Sequence, residues 1–463
     1  MRLSEAIEEI ASGRMARAGE RVLCAVSGGA DSVALLAILS EAAPRAGFEL
    51  RAAHVHHGIR SESDEELEFV SGLCARLGAP LDVLRADVPA LAAAAGESVE
   101  SAARRVRYDF FYKVARERRC DMIALAHHSR DQAETVLMHA LRGASVSGLC
   151  AMRPRAGMLV RPLLYVDPEE LRAYLEERGL EFREDRTNAD IRYTRNFVRH
   201  VILPECERVY PGSRAGLCRL AQAAALDDDY LSAQAERAAG ECLHEYPGGA
   251  YLCVEPMRAL HPALRARVAA RAMRDTGQDA GSAGIERILA ALDGAASNLP
   301  GDVRISRGAQ RIYLEYPRPG RGRRTAGALE GCADVDAESL PARVELDGGA
   351  LLIDRPGRGP DGGLELGDGR WEQTVDAAAL CGAQLRYRRA GDVIWPLGAP
   401  GPKKLKDFYI DRKVDRQVRG FLPVLARGSE VLWALGVGVA RSCAVTGDTQ
   451  SALMLRWEGA RLW

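Results

Sequence analysis

Cysteine spacings that make metal sites or disulfide frameworks are missing from this chain. Its 463 residues include 11 cysteines, and no two of them have C-x-x-C spacing. Zinc ribbons, standard iron–sulfur loops and a disulfide framework are disfavoured, and buried free thiols in a reducing compartment are expected. No apolar run approaches the roughly 18 residues a membrane helix needs. The opening MRLSEAIEEIASGRMARAGE lacks an apolar h-region, so no secretory leader is expected. Net charge is only −1, so global charge announces no nucleic-acid partner, although a local basic stripe would suffice for one. No G-x-x-x-x-G-K-[ST] occurs, which removes the Walker A phosphate loop. There is no internal repeat. What is present is 47% hydrophobic and 27% charged residue content, ordinary for a globular protein and contrary to disorder throughout. At roughly 100–200 residues per domain, the length implies about two to four domains.

Residues 1–165 alternate short apolar runs with helical patterns. Strands are expected at 21–26, 50–55, 81–88 and 122–126, and helices at 32–41, 64–77, 100–117 and 132–141. Such alternation implies parallel strands joined by crossover helices. Ligands then bind beyond the carboxyl ends of the strands, which gives weight to the loops after Val26, Val55 and Ala126. Residues 168–178 read as a helix capped by Asp167. The stretches 213–242, 261–274 and 283–292 read as helices, and 303–305 and 311–316 as pairing strands. From Pro317 the chain turns Pro-, Gly- and Arg-rich (PRPGRGRRTAG), a domain end, and 357–369 is a Gly-rich loop. The last block has short strands at 422–425 and 432–435 and a basic helix near 403–410. The expected fold class is α/β: an N-terminal parallel-sheet, Rossmann-like domain, a mainly helical middle domain and a small α+β C-terminal domain. The expected limits are 1–214, 215–320, a connection and start of the last domain at 321–384, and 385–463.

Ser27–Ser32 reads SGGADS, between the first strand and its helix. Gly28 and Gly29 let backbone N–H groups face one anion, Ser27 and Ser32 add hydroxyls, and the helix start favours phosphate. Asp31 makes sense there if Mg²⁺ lies between it and the phosphates. A plain glycine turn with an aspartate cap is the bland alternative. His54, His56 and His57 end the second strand, and His127 and His128 the fourth, on the same sheet edge. Zinc held by His56, His128 and Asp131 is a minor alternative to nucleotide contact. Asp131 and Glu134 lie three apart on a new helix, where acidic residues also complement the dipole. Arg104 and Arg107 share a helical face, whereas Arg105, Arg116 and Arg118 suit a solvated surface. Arg186, Arg192, Arg195 and Arg199 form a second basic concentration. Residues 386–420 hold ten Lys or Arg against four Asp, with Trp395, Phe408 and Tyr409 interleaved. That mixture suits RNA about as well as it suits an ordinary charged surface.

Taken together, VLCAVSGGADSVALL, HVHHGIRSESDEELEFV, ESAARRVRYDFF, ALAHHSRDQAETVLMHALRG, VRPLL and EDRTNADIRYTRNFVRHVILP resemble the tRNA(Ile)-lysidine synthetases of the PP-loop ATP pyrophosphatase superfamily. The resemblance resumes in RRAGDVIWPLG and KKLKDFYIDRKVDRQVRGFLPVL, and covers roughly the first 205 and last 80 residues. SGGxDS identifies only the superfamily; its combination with HHxxDQAET and DRTNxxxxYxRNxxR is far more specific. The resemblance implies adenylation of the wobble cytidine of a CAU-anticodon isoleucine tRNA, then displacement of AMP by free L-lysine. The implied ligands are ATP, Mg²⁺, lysine and tRNA, in a cytoplasmic enzyme without membrane contact, with homodimerisation left open. Carried onto this sequence, the catalytic residues are Asp31, Arg104, His128 and Asp131, with Asp31 holding Mg²⁺. ATP falls to Ser27, Gly28, Gly29, Asp31, Ser32, His54, Arg107 and Arg195, and lysine to Asp131 and Glu134. Arg388, Arg389, Lys403, Lys404, Lys406, Arg412 and Lys413 are the tRNA contacts. The alternatives are another PP-loop RNA-modifying enzyme, a sulfurtransferase or amidotransferase, and a non-catalytic RNA-binding protein.

Overall fold

A computed structural model describes residues 1–56, 63–183, 191–277, 281–294, 303–315, 331–336, 340–358 and 364–462. The expectations for His57, Arg186, the DRTNAD stretch and PRPGRGRRTAG lie outside the described residues. The chain divides into two compact units, Met1–Tyr230 and Leu231–Trp463.

In the first unit, β1 (Arg21–Ala25), β2 (Glu49–His56), β3 (Leu81–Arg85), β4 (Met122–Ala124), β5 (Arg155–Ala156) and β6 (Leu159–Val160) form one sheet in the order β3-β2-β1-β4-β6-β5. All neighbours are parallel except β5 with β6. Helices cover both faces, which is why β1 is a continuous apolar run rather than an alternating one. Val22 and Cys24 pack with α2 (Ala30–Ala46, after α1 at Leu3–Ala11). Leu23 packs on the opposite face against Val106, Phe110 and Phe111 of the helix Val99–Glu117. The chain runs from β1 to β2 and β3 on one side and then returns to β4 on the other. The carboxyl ends of β1 and β4 therefore flank a switch point, where such folds bind ligands.

The third strand stops at Arg85, short of the expected 88, because Asp87 accepts from Ala90 N–H at 3.0 Å and caps a helix starting at Val88. The expected limit at 214/215 falls inside one continuous helix, Ser213–Cys242.

The second unit begins with helices, including Pro262–Asp275 and Ser282–Leu292, beside a four-stranded sheet. Arg304–Arg307 and Arg311–Glu315 pair as expected; the hairpin Leu243–Tyr246 with Gly249–Cys253 is an addition. Two further sheets follow. The stretch 321–384, expected as a connection and the start of the last domain, supplies strands: Ala342–Leu346, Gly349–Asp354 and Glu372–Asp376 join Ala452–Gly459 in one sheet. Cys332–Asp334 pairs with Gln384–Tyr387, so the 384/385 limit divides a strand. A single core holds these sheets, with Leu351, Val375, Leu385, Leu425 and Trp433 fully buried together. Among the described residues no helix is long and apolar enough to cross a membrane.

Candidate active site

The SGGADS loop leaves β1 with Gly28 at φ +89°, a conformation that side chains rarely adopt. Gly29 is extended and precedes α2 as its N-cap. Ser32 Oγ accepts from Ser27 N–H at 3.1 Å and donates to the Gly29 carbonyl at 2.9 Å, which ties the loop across its open side. A ≈ 220 Å³ cavity at this edge is lined by the apolar Ala25, Val26, Val55, Phe111, Leu125 and Ala126. Ser27, Gly29, Asp31, Ser32, Arg104, Arg107, Tyr108 and His127 also line it. That mixed lining suits an anionic ligand that also carries an apolar ring. Arg104 is steadied over the Tyr108 ring, 5.0 Å from its centroid.

Asp31 lies at the second position of α2 with its side chain 41% exposed. A hard carboxylate at a helix start beside a glycine-rich loop fits Mg²⁺, which takes one or two carboxylates plus substrate phosphates. Across the cleft, His128 caps the helix Ser129–Leu141, and Asp131 accepts from the His128 N–H at 3.1 Å. Asp131 is thus the third residue of a capping box, not the cap itself. His128 Nε2 lies 3.4 Å from Asp31 and 3.5 Å from Asp131. Burial lowers the His128 pKa, but the hydrogen bond to Asp31 and the two carboxylate charges outweigh it, leaving it raised. His127 goes the other way: burial, with the nearby arginines, pushes it down to about 4. Arg161 Nε donates to its Nδ1 at 3.2 Å, so the ring is neutral with its proton on Nε2.

Asp131 and Glu134 meet two arginines from the segment 194–202. Arg195 donates to Glu134 at 2.7 Å and to Asp131 at 3.0 Å. Arg199 donates to Glu134 at 2.5 and 3.1 Å and to Asp131 at 3.2 Å. Burial would raise the Asp131 pKa, but His128 and the arginines overcome this and hold it low. Glu134 has no exposed side-chain surface, whereas Asp131 keeps 12%. Glu134 is therefore closed to an incoming ammonium while the arginines stay in place, contrary to the direct lysine contact expected of it.

Three other expected contacts have the following geometry. His54 is buried and lies outside the cavity lining; its Nδ1–H donates to the Val26 carbonyl at 2.9 Å and supports the loop from behind. Among the described residues no group of three His, Cys, Asp or Glu could hold a metal, so the zinc alternative lapses. His56 instead lies 3.4 Å from Asp64. Arg195 is held by the acidic pair and is not part of the cavity lining.

Comparison with known proteins agrees with this layout. Residues 2–206 match the PP-loop domain model, and 383–457 match the TilS substrate C-terminal domain model. A tRNA(Ile)-lysidine synthase of Geobacter sulfurreducens is 34% identical over 97% of this chain and 95% of its own length. Those of Porphyromonas gingivalis and Clostridium perfringens are 32% and 31% identical, over 96% and 98% of this chain and 96% and 98% of their own lengths. The chain belongs to the tRNA(Ile)-lysidine synthase family.

Within this lysidine synthase family member, sequence reasoning gave no site role to Arg161 or Arg199. Arg161 follows directly after β6 and so falls on the same carboxyl edge as the histidines, a signal the strand pattern could have supplied. Arg199 is four residues after Arg195, so one helical face brings both to the acidic pair. In the second unit Arg388, Arg389, Lys404, Lys406, Arg412 and Lys413 are exposed, while Lys403 is partly covered and pairs with Asp411 at 2.8 Å. Arg386, counted with the basic stretch, is buried against Asp392 at 2.8 Å and adds nothing to the surface charge.

Proposed function

We propose that this enzyme converts the wobble cytidine of a CAU-anticodon isoleucine tRNA to lysidine, using ATP and free L-lysine. The cytidine C2 oxygen attacks the α-phosphorus of ATP and pyrophosphate leaves. The lysine ε-amine then attacks C2, loses a proton, and AMP departs with the former C2 oxygen. The observation that carries this reading is the cavity at the switch point, whose lining combines apolar side chains with Ser27, Gly29, Asp31 and Ser32 of the SGGADS loop and with Arg104 and Arg107. The apolar side chains suit adenine, and the hydroxyls and guanidiniums suit its phosphates. Mg²⁺, when bound, neutralises phosphate charge, and Asp31 is the residue to hold it.

Arg104 and Arg107 offset charge on the departing pyrophosphate. Lysine's amine has an ordinary pKa of about 10.4 and must lose its proton before attack. Asp131, the accessible member of the acidic pair, is assigned to the ammonium. Glu134 acts through Arg195 and Arg199 as a positioning residue. Arg388, Arg389, Lys403, Lys404, Lys406, Arg412 and Lys413 are assigned to the tRNA backbone.

The test is mass analysis of the wobble nucleoside after incubation with ATP, labelled lysine and CAU-anticodon tRNA. A label at that position, dependent on ATP, is expected. Incorporation from ammonia or a sulfur donor instead would establish an amidotransferase or sulfurtransferase. No pyrophosphate release with any donor would leave a non-catalytic RNA-binding protein.

A further inference from the structure

We propose that Arg161 is a positioning residue for the nucleotide: it holds His127 as a neutral ring whose Nε2–H donates to the α-phosphate. This rests on the ATP-dependent reaction proposed above and adds to it a residue that lies outside the cavity lining.

Arg161 is a buried cation without an anion. It is 9% exposed. Its Nε donates to His127 Nδ1 at 3.2 Å, its Nη1 donates to the Arg153 carbonyl at 2.8 Å, and the Tyr108 phenol lies beside it. Among the described residues no carboxylate pairs with it. Buried arginines are nearly always paired, because a dry, uncompensated charge is costly. The anion that suits this place is the nucleotide itself. Both side chains that Arg161 meets, His127 and Tyr108, line the cavity, and the Tyr108 ring carries Arg104. The guanidinium is also held from its other side. Arg161 N–H donates to the Pro154 carbonyl at 2.8 Å, next to β5. Arg153, whose carbonyl accepts the guanidinium, is itself clasped by Asp228 at 2.8 Å and Asp229 at 2.6 Å.

A guanidinium has donors only, so His127 Nδ1 must present its lone pair. That excludes the Nδ1–H tautomer and the imidazolium alike. Burial and the neighbouring arginines act in the same sense, pushing the His127 pKa down to about 4. With Nδ1 taken, Nε2–H is the ring atom left for a ligand in the cavity. His127 follows β4, the neighbour of β1, whose loop is assigned to the departing pyrophosphate. It also precedes Asp131, assigned to lysine. The α-phosphate is the group that both half-reactions share. Its non-bridging oxygens gain charge as the cytidine oxygen bonds and pyrophosphate leaves, and a fixed donor stabilises that charge. The ring keeps its proton throughout; no proton is transferred.

Two measurements on the full chain test this. Nitrogen-15 NMR of labelled histidines, with His127 assigned by the signal lost in His127→Gln, should show the Nε2–H tautomer. An Nδ1–H tautomer or an imidazolium at neutral pH overturns the proposal, whatever any Arg161 variant does. The second measurement is kinetic. Arg161→Met fills similar space without charge, a change that buried ion sites often tolerate. Its kcat for lysidine formation should fall about tenfold, the loss of one well-placed hydrogen bond, with the KM for lysine unchanged. Its His127 signal should become a mixture of tautomers. Arg161→Lys keeps a cationic donor and should restore part of both the rate and the tautomer. In a His127→Ala background, Arg161→Met should cost little more, because the ring it positions is gone. Losses that multiply in that double variant, or a lowered melting temperature with an unchanged rate, overturn the proposal. If the unmutated chain forms lysidine while these tests fail, only this assignment falls. If the unmutated chain consumes no ATP, the reading of the cavity falls and takes this one with it.

Discussion

Glu134→Gln probes the most buried charge of the site. The glutamate has no exposed side-chain surface and accepts three N–H bonds from two guanidiniums, at 2.5, 2.7 and 3.1 Å. Glutamine keeps the volume but turns one acceptor into a donor, which then faces a guanidinium N–H. Removing one partner of a buried ion pair costs about 3–5 kcal/mol. Arg195 and Arg199 retain 35% and 21% of their side-chain exposure, so water can take back part of their charge. The expected loss is therefore nearer ~2–3 kcal/mol. At roughly 2–4 °C per kcal/mol for a unit of this size, the melting temperature should fall by about 5–10 °C. Calorimetry of the full chain, following the transition of the first unit, measures it. Asp131 supplies a pH signature. Its folded pKa is depressed, so its contribution is present above the unfolded value of about 3.9 and is lost as pH falls through the folded one. In Asp131→Asn that acid-dependent loss should be absent, while in Glu134→Gln it should remain. A Glu134→Gln melting temperature within about 1 °C of the unmutated chain would refute the reasoning, because Asp131 alone would then suffice to hold both arginines.

Asp31→Ala should abolish pyrophosphate release and leave tRNA binding nearly intact. Because Asp31 helps raise the His128 pKa, NMR titration of the variant should show that pKa fall, and unchanged titration would separate the two residues. Replacing Lys403, Lys404 and Lys406 together by Ala should weaken tRNA binding and flatten its salt slope by about two units. Lys403 is already committed to Asp411, so it counts for less than the other two; an unaltered slope would make this stretch an ordinary solvated surface.

Most of the first unit was legible because its signals are local. Apolar runs between turn residues gave β1 and β2 to within a residue or so, and the topological rule then placed three loops on one edge without any coordinates. The short third strand was misjudged at its end because Val88 is apolar and extends the hydrophobic run, although Asp87 followed by Pro89 is a helix start. In the second unit, composition misled. Residues 332–376 are Gly-, Asp- and Arg-rich and read as a connection leading into the last domain with no strand of their own, yet their strands find partners far along the chain, such as Ala452–Gly459. No window of local sequence contains that pairing.

The acidic pair shows the same limit at the level of a single site. Asp131 and Glu134 have a spacing that fits helix-start acidity, a lysine ligand or a salt bridge equally well. What selects among these is the arrival of Arg195 and Arg199 from more than sixty residues away. Their presence changes the chemistry open to each carboxylate differently. Both oxygens of Glu134 are committed and dry, so it can set the positions of the guanidiniums but cannot meet substrate. Asp131 shares the same arginines, yet also lies beside His128, which in turn lies beside Asp31 in the phosphate loop. A charge brought to Asp131 is therefore felt at Asp31 through one imidazole whose pKa both carboxylates already raise. On the assignments proposed above, lysine at Asp131 and nucleotide at Asp31 are coupled through His128, and replacing either aspartate should shift the His128 titration in the same downward direction.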